Sequence, residues 1–535
     1  MKQETELSFS PEEYQKIFLP GCAPEQILLP IACNRIPAFL KEITKLRIIK
    51  KSIDARRRNQ IRVIFRVQLV QSEEDSSFVF ETESAPAIHS AKQPVIIGFG
   101  PAGMMAALYL ARNGAPPIIL ERGTPVERRI TDVESYSQTG IVHPSSNVQF
   151  GEGGAGTFSD GKLNSGIKDK RKEYVLHSFV KAGAPDEILY LNRPHVGTDR
   201  IRSMVREIRS EIESLGGTFL FSREFCGLEK DGDKISAVYH RASTGANGIA
   251  STDRTKLECD DLILAVGHSA RDTFRFLSQE GIHMEAKPLS VGVRIEHEQS
   301  WLNAIQYGDA AALGVLPAAE YKLVSHTSTG RALYTFCMCP GGFVVPSASA
   351  PGQIVTNGMS NYRRDEVNCN SALLVGVTPS DYKDDSALAG LDYLDELEHA
   401  AFRLGGSNGR APCQRVADFL SDRASSSCGT VLPTYKPGVT FANLKTILPA
   451  YVSDTIAEGI LSMNQSLPGF STPDAIMTGL ETRSSSPVRI ERGENLQSVS
   501  LAGFFPAGEG AGYAGGILSS AVDGLRCAEA VLARQ

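Results

Sequence analysis

Short apolar runs separated by glycine and polar turns follow one another along most of this chain. The run from Pro94 to Ile97 predicts a buried strand, and the apolar spacing from Met104 to Asn113 predicts a helix. A second run, from Ile118 to Leu120, predicts the next strand, which Glu121 ends. The order strand, helix and strand is typical of a βαβ unit in an α/β fold with a parallel sheet.

The first 90 residues have a different pattern and are predicted to form a small α+β module. Ile36 to Leu46 has the spacing of an amphipathic helix, and Ile61 to Val70 alternates in part, as a strand does. The polar stretch from Gln71 to Gln93 predicts a linker or a hairpin. Between Lys41 and Arg66 lie ten basic residues against two acidic ones. Two interpretations are open, a solvated face of a small sheet or a surface for an anionic partner such as RNA.

The composition is that of a globular protein with more than one domain. Hydrophobic residues make up 42% and charged residues 22% of the 535 residues, which excludes a disordered or fibrous chain and predicts two or three domains. The formal net charge of -6 argues against non-specific nucleic-acid binding by the chain as a whole.

The sequence favours a cytoplasmic protein without a membrane segment. The stretch from Met1 to Glu13 lacks the basic and then apolar order of a secretory signal, and the ten cysteines are scattered, as in reduced proteins. The uncharged stretch from Pro94 to Ala111 is long enough to suggest a membrane helix, but its three glycines favour strand, turn and helix.

This strand, turn and helix contain the glycine pattern of a dinucleotide-binding site. Gly98 permits the tight turn, Gly100 lets backbone N–H groups approach a pyrophosphate, and Gly103 lets the helix pack on the strand. Glu121 follows Gly98 by 23 positions, where a carboxylate accepts hydrogen bonds from an adenosine ribose. Glycine turns are often purely structural, but both strands, the helix and the acid together predict dinucleotide binding.

Three segments resemble the FAD enzymes of the glutathione reductase superfamily, in the same order along the chain. Glu121 to Gly123 is similar to the end of their second strand, and Cys259 to His268 is similar to the strand and glycine turn beneath the adenosine half. Phe505 to Gly516, before an apolar helix ending near Leu532, resembles their C-terminal flavin segment. The resemblance implies that the cofactor is FAD. Most members carry Asp at the ribityl position, where this chain has Glu509.

The physical chemistry of two segments is consistent with a flavin. An acidic side chain at the end of a strand can accept hydrogen bonds from ribityl hydroxyls, and a helix starting near Gly515 directs its positive end at the reduced flavin. The loop from Phe150 to Gly166 holds six glycines that allow close approach to a flat ring, and Lys162 would add a positive charge there. A flexible surface loop is the alternative. The residues assigned to the cofactor are Gly98, Gly100, Ala102, Gly103, Glu121, Arg122, Gly156, Lys162, Gly267, Gly508, Glu509, Gly515, Gly516 and Ile517.

The chain has one such glycine fingerprint, whereas enzymes with a second Rossmann domain for NADPH have two. It therefore resembles the branch of the superfamily with fumarate reductases, amine oxidases and aromatic hydroxylases, in which a substrate domain interrupts the FAD domain. This implies a Rossmann-like FAD-binding domain over residues 91–280 and 495–535, with an inserted α+β substrate or cap domain over 281–494. The small α+β module over residues 1–90 precedes both.

Further strings resemble a bacterial family called FAD-dependent dehydrogenases, and the resemblance covers nearly the whole chain. The strings run from Lys50 to Arg56, Phe150 to Lys162, Cys337 to Gly342, Asn357 to Ser360 and Glu481 to Ile490. The name of that family describes its cofactor and leaves the substrate open.

Two groups in the inserted domain are candidates for chemistry on a substrate. Cys337 and Cys339 precede a Pro-Gly-Gly turn and are either a redox pair that exchanges electrons with flavin or small packed cysteines. Two thiols are too few for a closed zinc site, and no metal site is predicted. Arg483 and Arg489 flank a Ser-Ser-Ser-Pro turn and either clamp a substrate carboxylate or form surface salt bridges. The catalytic residue is unassigned, with Cys337, Cys339 and Lys162 as candidates.

The predicted function is that of an FAD-dependent dehydrogenase. A small substrate, for which the arginines suggest an anion, or reduced NAD(P)H gives a hydride to the flavin in a pocket between the FAD and inserted domains. Two alternatives stay open. One is a flavoprotein that modifies tRNA through the basic N-terminal module, and the other is a redox sensor or scaffold that binds FAD without turnover.

Overall fold

A computed structural model describes residues 3–18, 22–35, 45–57, 60–70, 92–245 and 248–534. The elements of the N-terminal unit are β1 (Gln3–Phe9), α1 (Pro11–Ile17), α2 (Pro24–Cys33), β2 (Lys45–Asp54) and β3 (Arg62–Val70). The strands form an antiparallel sheet in the order β1-β3-β2. Alternate residues of β3, such as Phe65 and Val67, are buried in one apolar cluster with Leu28 of α2.

The N-terminal unit confirms one sequence prediction and corrects another. β3 confirms the strand predicted from Ile61 to Val70. The helix predicted from Ile36 to Leu46 lies mostly outside the described residues, and its last two positions were wrongly assigned because β2 begins at Lys45. Exposed and buried side chains alternate at the start of β2, which is the period of a strand. Of the linker predicted from Gln71 to Gln93, residues 71–91 lie outside the described residues.

The middle and C-terminal parts of the chain contain the other elements. The part before the insertion contains β4 (Val95–Ile97), α3 (Pro101–Arg112), β5 (Ile118–Glu121), α4 (Val126–Thr139), α5 (Arg171–Lys181), α6 (Thr198–Ser214), β6 (Thr218–Phe221), β7 (Arg223–Asp231), β8 (Lys234–Ala242), β9 (Thr255–Glu258), β10 (Leu262–Leu264) and α7 (Arg271–Gln279). The inserted part contains β11 (Met284–Ala286), β12 (Leu289–Glu298), α8 (Gln299–Tyr307), β13 (Val324–His326), β14 (Ala332–Cys339), β15 (Phe343–Pro346), β16 (Thr356–Met359), β17 (Asn368–Val377), α9 (Ala389–Leu404), β18 (Ala411–Arg415), α10 (Val416–Leu420), β19 (Val439–Phe441), α11 (Ala450–Ser466), β20 (Ile476–Glu481) and β21 (Val488–Ile490). Two further elements follow it, β22 (Phe504–Pro506) and α12 (Ile517–Leu532).

A five-stranded parallel sheet forms the centre of the Rossmann-like domain. Its order is β22-β10-β4-β5-β6, so that the chain moves outward from β4 to one side and then returns to the other. This is the strand order of a dinucleotide-binding fold. It confirms the predicted α/β fold with an interrupted Rossmann-like domain, because β22 joins the sheet only after the inserted elements. The numerical domain boundaries stay predictions.

The inserted part is built on a seven-stranded sheet in the order β13-β14-β17-β12-β20-β18-β19. Its neighbours are antiparallel except for β18 and β19, which are parallel. α11 contacts β13, β14 and β17, and α9 contacts β18 and β20. The central strand β12 is buried almost along its whole length and includes the charged residues Arg294 and Glu296. Such charges need partners inside the domain.

Glycine allows α3 and α12 to pack with their backbones almost in contact. A Cβ built on Gly524 of α12 would lie 2.0 Å from the carbonyl oxygen of Ala102 in α3. A Cβ on Gly103 of α3 would lie 1.9 Å from the carbonyl oxygen of Gly98. Both contacts are shorter than any side chain permits, so the two helices can approach the sheet and each other only through glycine.

The uncharged stretch from Pro94 to Ala111 has the structure predicted for it. It forms β4, the glycine turn and most of α3. Among the helices of the described residues, none is long and apolar enough to cross a membrane.

We expect the Gly524→Ala substitution to destabilise the fold. Its new Cβ forces α12 away from α3, and such overpacking lowers the free energy of unfolding by about 1 to 3 kcal/mol. Gly166→Ala is the matched control, because a Cβ at Gly166 meets no atom within 4 Å. Urea unfolding curves of the two variants measure the difference. Equal midpoints for Gly524→Ala and the parent protein would show that the close helix contact is not needed.

Candidate functional site

A cavity of about 470 Å³ lies at the carboxyl ends of β4, β5 and β10 and reaches the inserted domain. The chain continues from β4 to β5 on one side of it and later returns to β10 on the other side, and ligands of open α/β sheets bind where the strand order reverses in this way. The volume is within the range of small-molecule sites. Residues that line the cavity from the inserted domain are Lys322, Phe336, Cys337, Asn357, Arg483 and Ser484.

The glycine turn after β4 exposes backbone at one wall of this cavity. Gly98 has a φ of +93°, and a Cβ there would lie 2.5 Å from the carbonyl oxygen of Ala265 in the turn after β10. Gly100 precedes α3, and no side chain caps the free N–H groups of that helix. A Cβ on Gly154 would lie 2.8 Å from the Cα of Gly100, so the glycine loop closes on the turn. Uncapped N–H groups at a helix start bind phosphate oxygens.

Glu121 is buried at the end of β5, where it organises the same wall. Its carboxylate accepts hydrogen bonds from the backbone N–H groups of Phe99 at 2.8 Å, Gly123 at 2.8 Å and Gly151 at 3.1 Å. These bonds tie the glycine turn, the end of β5 and the glycine loop together. Glu121 also lines the cavity, and its predicted contact with a ribose stays a prediction. Arg122 lines it as well, with its guanidinium 4.6 Å from the centre of the Phe150 ring.

The start of α12 contributes open space to the cavity. A Cβ on Gly515 or Gly516 would meet no atom within 4 Å, and no side chain caps the helix start. Glu509, after β22, lies 3.1 Å from Nδ1 of His268. The other ring nitrogen of His268 is buried without a hydrogen-bond partner among the described residues. A bound group with polar atoms would satisfy it.

Lys162 lies where the glycine loop meets the inserted domain. Its ammonium group is 3.2 Å from the Asp160 carboxylate and 3.8 Å from the sulfur of Cys339, and it donates to the carbonyl oxygen of Met338. Burial alone would lower the pKa of Lys162, but Cys339, Cys337 and Asp160 raise it above its usual value. Lys162 therefore stays charged at the cavity wall.

Cys337 and Cys339 lie next to Lys162, on the inserted side of the cavity. Cys337 lines the cavity, whereas Cys339 is fully buried behind it and donates a hydrogen bond to the carbonyl oxygen of Cys337 at 3.3 Å. Arg294 donates to the same oxygen at 3.2 Å and forms a buried ion pair with Glu481 at 2.9 Å. The structure thus brings together the three candidate catalytic residues named from the sequence.

The predicted pair of arginines does not form a clamp. Arg483 lines the cavity but is buried, with an ion pair to Glu398 at 3.1 Å and a hydrogen bond to Ser349 at 2.6 Å. Arg489 does not line the cavity; its guanidinium lies 5.5 Å from the centre of the Tyr513 ring. The two side chains separate because the Ser-Ser-Ser-Pro turn ends one strand and Arg489 belongs to the next.

Most of the residues that the sequence assigned to the cofactor line the cavity. The exceptions are Gly103 and Gly508, which lie behind it and serve close packing. A Cβ on Gly508 would lie 2.8 Å from the Cβ of Ala102. The lining residues that the sequence analysis did not assign include Gln149, Arg223, Phe225, His268, Lys322, Phe336, Asn357 and Ser484.

Two residues at or behind the cavity that the sequence analysis did not assign could have been found from the sequence. His268 directly follows Gly267 in a segment already assigned to the cofactor. Arg294, which lies behind the two cysteines, is the one charged residue in the run from Leu289 to Ile295, and a charge in such a buried run indicates a buried ion pair. Phe336 and Lys322 carry no comparable signal, because strands β13 and β14 reach the cavity only through long-range pairing.

Outside this cavity, His283, Glu285 and Glu491 bring possible ligand atoms within 4.8 Å of one another. They lie at the surface where β11 pairs with β21. Exposed groups of this kind are common without a bound ion, and we assign no metal to them.

Comparison with known proteins identifies the family to which this chain belongs. An uncharacterized protein of Clostridium beijerinckii is 44% identical over 516 residues, which covers 94% of each chain. The present chain belongs to the same family. Residues 288–484 match the model of the FAD-dependent protein, C-terminal domain-like family, and residues 1–70 match a domain of unknown function (DUF8436).

Solved structures with a related arrangement include a flavin-dependent brominase, at 12% identity and a TM-score of 0.38, covering 83% of this chain and 80% of that one. A geranylgeranyl bacteriochlorophyll reductase-like protein of Thermoplasma acidophilum has 12% identity and a TM-score of 0.35, covering 83% and 79%. Similarities this low carry no argument about chemistry.

FAD is the cofactor of this protein. The family match agrees with the glycine turn and Glu121 at one end of the cavity, and with the open helix start at Gly515 and Gly516. The buried, unpaired nitrogen of His268 fits a polar cofactor as well.

Replacing Gly100 with alanine or valine should remove FAD without unfolding the protein. A Cβ at Gly100 meets the Cα of Gly154 at an ordinary 3.6 Å but intrudes on the cavity. Crowding of this kind costs about 1 to 3 kcal/mol, so we expect affinity to fall about tenfold or more, and further for valine. Fluorescence titration of the cofactor-free protein measures affinity, and circular dichroism checks the fold.

The Gly166→Ala variant again serves as the control, since its Cβ meets no atom within 4 Å. Mass analysis of the cofactor released from the parent protein should give FAD. A Gly100→Val protein that is purified with its full complement of FAD would contradict the assigned position of the pyrophosphate.

The Arg483→Ala variant should lose stability rather than only ligand affinity. It leaves the buried Glu398 carboxylate without one of its two arginine partners, and breaking a buried pair in this way costs about 3 to 5 kcal/mol. Arg489→Ala removes a half-buried contact with Tyr513, for which about 0.5 to 1 kcal/mol is expected. Urea unfolding of both variants compares them. An Arg483→Ala protein that is as stable as its parent, but does not bind anions, would support the prediction that Arg483 binds a substrate carboxylate.

Proposed function

We propose that the protein is an FAD-dependent oxidoreductase of the dehydrogenase type. Its substrate, a small molecule or reduced NAD(P)H, gives a hydride to the flavin on the side of the cavity formed by the inserted domain. The observation that supports this most directly is the continuity of the cavity. Residues of the glycine turn, such as Gly98 and Gly100, and residues of the inserted sheet, such as Phe336 and Asn357, line the same space.

The chain's own groups bind and orient the cofactor. The N–H groups at the start of α3 would hold the pyrophosphate, and those at the start of α12 would bind the flavin end. His268 and Glu509 offer a hydrogen-bonding pair between these two helix starts. The flavin supplies the hydride chemistry, and the protein supplies orientation and charge.

The inserted side of the cavity supports an anionic substrate. Lys322 is exposed at the cavity and Lys162 is held charged at its wall. Phe336 adds an aromatic ring, 39% exposed, against which an apolar part of the substrate can pack. A wall of this composition selects a small molecule with one charged and one apolar part.

The alternative of an RNA substrate receives less support from the N-terminal module. Several of its basic side chains are already paired with acids of the module. Arg66 contacts Glu4 at 2.5 Å, and Arg62 contacts Glu13 at 3.6 Å. These pairs reduce the free positive charge on that face, which an RNA surface requires.

Anaerobic reduction of the holoprotein tests the proposed activity. NADH, NADPH and small metabolite carboxylates are added in turn while the flavin absorbance near about 450 nm is followed. We expect at least one donor to bleach the bound flavin about tenfold or more faster than it reduces free FAD, because the cavity orients the donor. If every donor reduces bound and free FAD at the same rate, the protein is a sensor or a scaffold that binds FAD without turnover.

The Lys322→Met variant shows whether the active donor is recognised as an anion. Loss of one exposed charge weakens an ionic contact by about 0.2 to 1 kcal/mol, so KM should rise about two- to fivefold with kcat little changed. Lys322→Arg keeps the charge and should behave as the parent protein. Equal KM values for Lys322→Met and Lys322→Arg would argue that the donor is uncharged at this contact.

A further inference from the structure

We propose that Cys337 and Cys339 form a dithiol–disulfide pair that exchanges two electrons with the bound FAD and passes them to an external disulfide. The inference rests on the juxtaposition of a partly exposed thiol, a buried thiol and two fixed cations at the wall of the FAD cavity. It deepens the proposed function, since it assigns an electron acceptor to the oxidoreductase.

An irregularity in β14 places the two sulfurs at this wall. In the pairing of β14 with β17, Phe336 lies opposite Ala372 and Cys339 lies opposite Asn370, so β14 has one residue more than its partner. Cys337 takes up the extra length with a φ of +43°, a conformation that a residue with a side chain rarely adopts. Bulges of this kind redirect side chains near active sites. Strain held at such a position points to a functional requirement.

The two cysteines are close neighbours in the reduced protein. The thiol of Cys339 donates a hydrogen bond to the carbonyl oxygen of Cys337 at 3.3 Å. Cys337 is partly exposed and lines the cavity, whereas Cys339 is completely buried. The Cys337 thiol can therefore react with a molecule in the cavity, while the Cys339 thiol lies behind it and can react only with Cys337.

Charged groups from three elements surround the pair. Lys162, from the glycine loop, and Arg294, from β12, place positive charge beside the sulfurs. The acids that face the same space are Asp160 and Glu481, and each is already engaged, Asp160 with Lys162 and Glu481 with Arg294. Interaction with the Cys339 side chain, followed by the charges of Lys162 and Arg294 against the effect of burial, lowers the pKa of Cys337 below that of an ordinary thiol.

Other buried cysteines of the chain show the opposite behaviour. Burial raises the pKa of Cys259, Cys369 and Cys527 to about 12. Those thiols are packed side chains that stay protonated and unreactive. The contrast separates Cys337 from cysteines that only fill the core.

The proposed electron transfer consists of a two-electron reduction of the Cys337–Cys339 disulfide, followed by a thiol–disulfide exchange with an external substrate. When the disulfide is reduced, the sulfur–sulfur bond breaks, and the two sulfurs take two electrons and one proton from the reduced flavin, which leaves Cys337 as a thiolate and Cys339 as a thiol. The Cys337 thiolate then attacks an external disulfide and releases one external thiolate, which takes a proton from solvent. Cys339 displaces the second, which restores the bond between Cys337 and Cys339. The external substrate is a small disulfide or an exposed disulfide of another protein.

Reductive titration of the holoprotein tests the pair. After mild oxidation of its thiols with diamide and removal of the reagent, the anaerobic parent protein should consume about four electrons per FAD, two for the flavin and two for the disulfide. The Cys337→Ser variant should consume about two, as should Cys339→Ala. The control is Cys226→Ser, in β7 outside the cavity lining, which should still take up four.

A measurement on the unaltered, cofactor-free protein covers the case in which these variants fail to fold. Peptide mass analysis after oxidation should find Cys337 and Cys339 joined, with the loss of two hydrogens. Iodoacetamide should alkylate Cys337 at mildly acidic pH, where ordinary thiols are protonated. Lys162→Gln should shift the midpoint of this alkylation to higher pH, and Lys162→Arg should shift it less.

An uptake of two electrons per FAD by the oxidised parent protein, with both cysteines found as free thiols, would overturn the inference. The hydride-donor assay of the proposed function is independent of that result. A parent protein that is reduced by a donor but never forms the disulfide would support the proposed dehydrogenase activity and contradict the assignment of the cysteine pair as its electron acceptor. A protein that forms the disulfide and takes four electrons from dithionite, but is reduced by no donor, would support the cysteine pair and contradict the proposed dehydrogenase activity.

Discussion

The structure depends on contacts between backbones that only glycine permits. The turn after β4, the glycine loop and α12 come from distant parts of the chain, and they meet where Gly98, Gly154 and Gly524 bring main chains together. A methyl group at Gly154 or Gly524 would lie under 3 Å from the opposing backbone. These approaches bring the uncapped starts of α3 and α12 to one cavity, so the positive ends of two helix dipoles meet there.

Buried ion pairs fix the inserted domain against this frame. Glu398, on α9, contacts Arg271 of α7 at 2.7 Å and Arg483 at 3.1 Å. Burial would raise the pKa of Glu398, but the two arginines lower it to about 2, so the carboxylate stays charged. Because each charge would be costly without its partners, the junction has one favoured geometry. The inserted wall of the cavity, including Phe336, is held in place by these pairs as well as by apolar packing.

The sequence predicted the Rossmann-like half well because its signals are local. Gly98 and Glu121 are close in the chain, and the spacing of the apolar residues between them is enough to predict the βαβ unit. The inserted half was predicted only as a region, since its seven strands pair across long stretches of sequence. For the same reason Arg483 and Arg489 seemed to form a clamp. Six positions apart in sequence, they lie on opposite sides of a turn, Arg483 after the end of β20 and Arg489 within β21, and they have different partners.

The position of β22 and α12 in the chain has a consequence for the order of assembly. About 400 residues separate Ile97 of β4 from Phe504 of β22, yet the two strands belong to one sheet with β10 between them. During synthesis, the α3 face that later receives α12 is made long before its partner. A nascent chain therefore carries an uncovered apolar helix face until α12 has been made. The α3 face and the flavin end of the cavity are therefore completed in the same step, when α12 packs onto α3.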